Sequence, residues 1–186
     1  MCGICGVIPL HGPLAPELSA AIRPMTRALA HRGPDAGDVF TDGHAALGHW
    51  RLSIIDRAGG GQPMGNEDRT VWIVFNGEIY NHHDLRRRLI ARGHVFRTTS
   101  DTETILHGYE EHGPGVVDRL EGMFAFAIWE RDSGMTWLVR DRLGIKPLYW
   151  TLDEHRLRFA STLPALLAAG DVDRAIDPQA LHHYLS

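Results

Sequence analysis

Cys2 directly follows the initiator methionine. A small side chain at that position lets methionine aminopeptidases remove Met1, and the thiol would then share its residue with a free α-amine. Such an amine ordinarily titrates near ~7.7–8.0, against ~10.4 for a lysine, so it can be uncharged at working pH. A thiol beside a neutral amine is a self-contained activated nucleophile, the N-terminal counterpart of a serine–histidine pair. The competing reading is Cys2-x-x-Cys5 as a redox or metal pair. Redox pairs of that spacing sit between a strand and a helix, and zinc needs two further ligands that no second Cys-x-x-Cys supplies. If residues 2–8 form a strand, positions 2 and 5 face opposite ways about 10 Å apart, beyond the ~7 Å that a disulfide tolerates. Cys5 is therefore expected in the core.

The elements that must hold such a nucleophile read as short strands and a few helices. Strand-like runs cover Cys2–Ile8, Ala45–Ile55, Thr70–Phe75, Met123–Glu130, Thr136–Arg140, Pro147–Thr151 and Leu157–Ala160. Turn signals at Arg131–Gly134 and Asp153-Glu154 give hairpin spacing, hence antiparallel pairing. Asn76-Gly77 after Thr70–Phe75 also reads as a hairpin turn. Helical periodicity marks Pro16–Ala30, with Pro24 breaking or restarting it. It also marks His82–Arg92 between an Asn81 cap and Gly93. Ser100-x-x-Glu103 reads as a capping box opening a helix to His112, and Asp177 caps Pro178–Leu185. Strands grouped with strands predict an α+β fold of face-to-face sheets with helices outside.

The 186 residues are 44% hydrophobic and 23% charged, enough for one domain with its own core. A net charge of −4 and a pI near 6.3 argue against a nucleic-acid footprint. No apolar run reaches the length of a membrane span, and the N-terminus lacks the pattern of a signal peptide. Two cysteines make no disulfide framework, so a cytoplasmic location is expected. The twelve histidines are scattered without zinc spacing, and no metal is expected. Of nineteen basic residues only Lys146 is lysine, which reads as the codon bias of a GC-rich genome. The glycine-rich Ala58–Met64 is not a phosphate loop, because no Gly-Lys-Ser/Thr follows.

Read with Cys2-Gly3-Ile4, four further segments carry a resemblance: His31–Asp35 (HRGPD), Arg51–Asp56 (RLSIID), Asn76–Asn81 (NGEIYN) and Ser100–Glu103 (SDTE). Glu121–Ala127 and Arg140–Tyr149 support them. In this order they resemble the glutaminase domain of class II glutamine amidotransferases, in the form found in glutamine-hydrolysing asparagine synthetases. The resemblance covers essentially the whole chain. It implies the N-terminal nucleophile hydrolase fold, a four-layer αββα sandwich of two antiparallel sheets. It implies Cys2 as nucleophile, with the Asn76 side chain and the Gly77 N–H as oxyanion donors. For glutamine it implies Arg51 on the α-carboxylate, backbone contacts from Leu52, Ser53, Ile54 and Ile55, and Asp101 with Glu78 on the α-ammonium. His31–Asp35 is expected in the wall of the site, with a catalytic role for Arg32 left open, and the glycines of Ala58–Met64 are expected to hinge a loop over the substrate.

The same resemblance implies a partner half that binds ATP, magnesium and aspartate and carries a Ser-Gly-Gly-x-Asp-Ser pyrophosphate loop. That pattern does not occur in these residues, so no cofactor is expected in this domain. Residues 1–170 read as the glutaminase domain. Residues 171–186 read as the start of a linker and first helix towards a synthetase domain, so the chain reads as part of a longer one. A homodimer is compatible with the resemblance. The alternatives are an amidotransferase with another acceptor and a non-catalytic module of the same fold.

Overall fold

A computed structural model describes residues 1–35, 37–52, 56 and 59–186. Two antiparallel sheets are built from the predicted runs. The first contains β1 (Gly3–Pro9), β2 (Gly37–Thr41), β3 (Ala46–Trp50), β8 (Tyr149–Leu152) and β9 (Arg156–Ala160), in the order β2-β3-β1-β9-β8. The second contains β4 (Met64–Gly65), β5 (Val71–Ile79), β6 (Gly122–Glu130) and β7 (Thr136–Arg140), in that order. The helices are α1 (Pro16–Ala28), α2 (His82–Ala91), α3 (Asp101–His112), α4 (Leu163–Leu167) and α5 (Pro178–Leu185).

Side-chain alternation along each strand generates the layers. On β1, Ile4 and Ile8 point to the second sheet, where they join Leu47, Val74, Ala125, Trp129 and Phe159. Cys5 and Val7 point the other way, onto Ile22, Met25 and Leu29 beside α1. On the far side, Ile73, Phe75 and Phe126 pack against Ile105, Leu106 and Tyr109 of α3. Helix, sheet, sheet and helix therefore stack as the expected αββα sandwich. None of the helices among the described residues is long and apolar enough to cross a membrane.

Four local expectations are corrected. Pro24 neither breaks nor restarts α1, which runs through it with Pro24 on the exposed side. Asn76-Gly77 is not a turn: both residues lie inside β5, opposite Ala125 and Phe124 of β6. A Cβ on Gly77 would stand 2.3 Å from the Met123 carbonyl, so the missing side chain is what lets β6 approach there. Ser100 caps α3 by accepting from the Thr102 N–H at 3.2 Å, but Glu103 does not close a capping box. Its carboxylate instead takes the N–H groups of Arg97 and Thr98, both at 2.8 Å. Asn81 precedes α2 without a side-chain cap and turns to Arg119 O and Glu121 N. The polar edge strand β2 and the short α4 had no clear periodic signal. No residue of α5 is buried.

Candidate functional site

The N-terminus of β1, the residues just after β3, the C-terminal half of β5 and the first turn of α3 converge at one end of the sandwich. They enclose a cavity of about 140 Å³, small against the ~300–1,000 Å³ of ordinary ligand pockets. Met1 occupies part of its wall. Cys2, Arg51, Leu52, Asn76, Gly77, Glu78 and Asp101 all line it. Residues up to 99 positions apart in those motifs thus reach one space. Ser53, Ile54 and Ile55 lie outside the described residues.

The Cys2 sulfur accepts the Leu52 N–H at 3.3 Å and lies 3.5 Å from the Leu52 carbonyl. Arg32 donates Nε to the Cys2 carbonyl at 2.8 Å, and its own carbonyl accepts from the Met1 amine at 3.0 Å. Arg32 therefore grips the backbone of the nucleophile and is absent from the pocket lining. Gly33 packs its Cα against the Arg51 backbone so closely that a Cβ would meet the Arg51 oxygen at 2.2 Å. The HRGPD segment is a buttress behind the cavity wall.

Asn76 is 1% exposed, and its amide nitrogen has no hydrogen-bond partner among the described residues. A buried donor without a partner costs about 1–3 kcal/mol, and here the amide belongs to a residue lining the cavity beside Cys2. Asp101 is also buried, accepting the Ile79 N–H at 3.1 Å. Burial raises its carboxyl to about 6, backbone hydrogen bonds from Ile79 and Thr102 pull the other way, and the Glu78 charge adds to the rise. An acid in that condition is poised to ionise when a cation arrives.

Three residues that the motifs did not single out tie the cavity together. Asp56 accepts Arg51 Nη2 on its carbonyl at 2.5 Å. Its carboxylate accepts the N–H of Gly59 and of Thr99, both at 2.7 Å. These bonds hold it below the usual carboxylate range. Gln62 accepts the Phe75 N–H at 2.6 Å and donates to Thr102 Oγ1 at 3.1 Å, linking the glycine segment to β5 and α3. Lys146 is the third, buried in the same wall. Beneath the cavity His49 is 1% exposed; burial, then the Arg51 charge, lowers it to about 3, so it is neutral. Only contacts made across long sequence separations reveal these roles. The RLSIID motif contained Asp56, but its spacing carried no sign of the Thr99 bond.

Away from this cavity, His94, His107 and Glu110 bring ligand-type atoms within 4.8 Å of one another, a gathering that the histidine spacing did not signal. Their contacts form an ion-pair network: His107 Nδ1 lies 2.7 Å from Glu110 Oε2, and His94 Nε2 lies 3.2 Å from Glu111 Oε2. Burial lowers the His107 titration, but the Glu110 hydrogen bond and the charges of Glu110, Glu67 and Glu103 outweigh it and leave it raised.

A two-sheet αββα sandwich, with Cys2 and a buried Asn76 amide lining one cavity, has the architecture of the N-terminal nucleophile hydrolase fold. The chain belongs to the glutamine amidotransferase domain family, whose model matches residues 1–186. It is 45% identical to asparagine synthetase [glutamine-hydrolyzing] 1 of Bacillus subtilis (strain 168), across 100% of this chain and 29% of that protein. It is 43% identical to asparagine synthetase B [glutamine-hydrolyzing] of Escherichia coli (strain K12), across 90% of this chain and 30% of that protein. The chain thus spans under a third of the length of these relatives. Among solved structures, the glutamine phosphoribosylpyrophosphate amidotransferase of B. subtilis superposes with a TM-score of 0.72 at 23% identity, over 91% of this chain and 44% of that one. That likeness speaks for the fold.

Proposed function

We propose that this chain hydrolyses glutamine to glutamate and ammonia through a thioester on Cys2, and that the ammonia serves an ATP-dependent domain amidating aspartate to asparagine. The observation that carries the hydrolytic reading is the Asn76 amide nitrogen, without a partner among the described residues, in the wall shared with Cys2. Once Met1 is gone, the Cys2 amine takes the thiol proton and the sulfur attacks the carboxamide carbon. The carbonyl π electrons move to oxygen, and the Asn76 amide and the Gly77 N–H donate hydrogen bonds to the oxyanion that forms. The C–N bond then breaks, the amine's proton goes to the leaving nitrogen, and ammonia departs. Water, deprotonated by the same amine, adds to the thioester and releases glutamate with the thiol restored. Arg51 matches the substrate α-carboxylate as a two-pronged donor. Asp101, with Glu78, faces the α-ammonium, so both charged ends of an amino acid are read. The resemblance assigns backbone contacts with glutamine to Ser53, Ile54 and Ile55 as well, which lie outside the described residues.

The asparagine reading rests on the two relatives above. Residues 1–170 would form the glutaminase and 171–186 the lead into a synthetase domain that binds ATP and magnesium; the reactive thiol suits a reducing cytoplasm. The test incubates this chain with glutamine, aspartate and Mg-ATP and quantifies glutamate, asparagine and AMP. Glutamate without asparagine or AMP is expected, because no Ser-Gly-Gly-x-Asp-Ser loop is present to adenylate an acceptor. Absence of glutamate from protein shown by intact mass to lack Met1 overturns the hydrolytic reading. Supply of asparagine synthesis in trans by a separately made synthetase domain tests the acceptor.

Asp101 sets the acid limb of this activity. Only its ionised form pairs with the substrate ammonium, and its carboxyl titrates at about 6 in the empty site. KM for glutamine should therefore climb by about tenfold per pH unit below that value, while kcat moves less. Asp101→Asn should show a high KM that no longer changes over pH 5–7. Steady-state kinetics across that range decide it.

A further inference from the structure

The chain contains a single lysine, and it stands in the cavity wall. Lys146 is 5% exposed. Its backbone is pinned, the N–H donating to Asp141 Oδ2 at 3.0 Å and the carbonyl accepting from Arg140 Nε at 2.7 Å. The Asp141 carboxylate is occupied by the backbone N–H groups of Phe124, Ile145 and Lys146. No carboxylate among the described residues forms an ion pair with the Lys146 ammonium; its hydrogen bond goes to the Met1 sulfur at 3.2 Å. A thioether is a weak acceptor. Lysines are almost never fully buried unless paired, and an unpaired buried cation costs free energy. In a sequence that otherwise uses arginine, this one ammonium stands in the cavity wall, and among the described residues its hydrogen-bond partner is the residue that activation removes.

We infer that Lys146 is a positioning residue of the nucleophile: after Met1 leaves, its ammonium faces the Cys2 end of the cavity and its charge favours the thiolate and the oxyanion that follows. This rests on the reading of Cys2 as nucleophile. During attack the thiol proton passes to the Cys2 amine, negative charge moves from sulfur to the carbonyl oxygen, and Lys146 keeps its own protons. Among the described residues, the other charged groups facing Cys2 are Arg32 on its carbonyl, Arg51 in the wall, and Glu78 and Asp101 in the same wall; His49 is neutral. Arg51 holds the Asp56 carbonyl with Nη2 and is reserved for the substrate carboxylate, Arg32 Nε holds the Cys2 carbonyl, and the Lys146 ammonium is the side-chain cation whose described contact, with Met1, is lost on processing.

The experiment uses protein lacking Met1 by intact mass and compares wild type with Lys146→Met, Lys146→Gln and Lys146→Arg. Two quantities are read: the pH profile of Cys2 alkylation by iodoacetamide, with Cys2→Ala as blank, and steady-state glutamine hydrolysis. Lys146→Met and Lys146→Gln should move the alkylation profile to higher pH by about one unit and lower kcat/KM by about tenfold. Lys146→Arg should hold the wild-type profile. Either neutral variant alkylating with the wild-type profile, with melting at or above the wild-type temperature, overturns the inference. Alkylation is independent of turnover, so a shifted profile in protein that makes no glutamate would keep the Lys146 assignment and reject only the hydrolytic reading.

Discussion

Cys2→Ala is expected to abolish glutamine hydrolysis, with kcat/KM falling by a factor on the order of 10⁴ or more, whereas Cys5→Ala keeps it. Loss of a covalent nucleophile removes the whole reaction route, and such losses reach that scale. The two cysteines are three residues apart, yet Cys2 stands just before β1 at the end of the sandwich while Cys5 lies inside the strand. Cys2 lines the cavity. Cys5 is fully buried against α1, 3.4 Å from Thr26 Oγ1, and burial pushes its thiol up to about 12, with the Thr26 contact pulling slightly back. Cys5→Ala should cost about 1 kcal/mol of stability, from the lost burial of one sulfur. Glutamate release measures the first variant and thermal melting the second. A glutamine analogue bearing an electrophile should label Cys2 alone. Near-normal turnover by Cys2→Ala would end the thioester mechanism.

The second large effect is expected at Asn76. Asn76→Ala should lower kcat by about 100-fold or more with little change in KM, since an oxyanion donor meets charge that exists only near the transition state. The structure makes this variant clean. Among the described residues the Asn76 amide nitrogen has no partner, so losing that donor costs the fold none of the described hydrogen bonds, and the residue is held in β5 by backbone pairing opposite Ala125. Arg51→Lys should show the opposite pattern, a raised KM with kcat nearly kept, because the substrate carboxylate carries the same charge throughout the reaction. Initial rates over a range of glutamine concentrations separate the two; exchanged patterns would exchange the roles.

Much of this protein is determined locally and can be read from residue order. A cysteine at position 2 defines its own chemistry, because thiol and prospective amine belong to one residue. The hairpins at Arg131–Gly134 and Asp153-Glu154 are legible because turn residues and alternating strands act over a few positions, and the two sheets of the sandwich follow from them. What the chain order could not decide is where polar side chains find partners. Asn76-Gly77 has the composition of a turn and becomes a strand because β6 pairs with it from nearly fifty residues away. Glu103 is spaced to close a capping box and is drawn instead to the Arg97 and Thr98 amides, which outnumber the single donor at the cap. Asp56, Gln62 and Lys146 bind atoms at separations of 43, 40 and 145 residues. Periodicity and short motifs report interactions within a turn or a strand pair; a buried donor or charge is satisfied by whichever group the packed layers bring near, and only the tertiary fold decides which group that is.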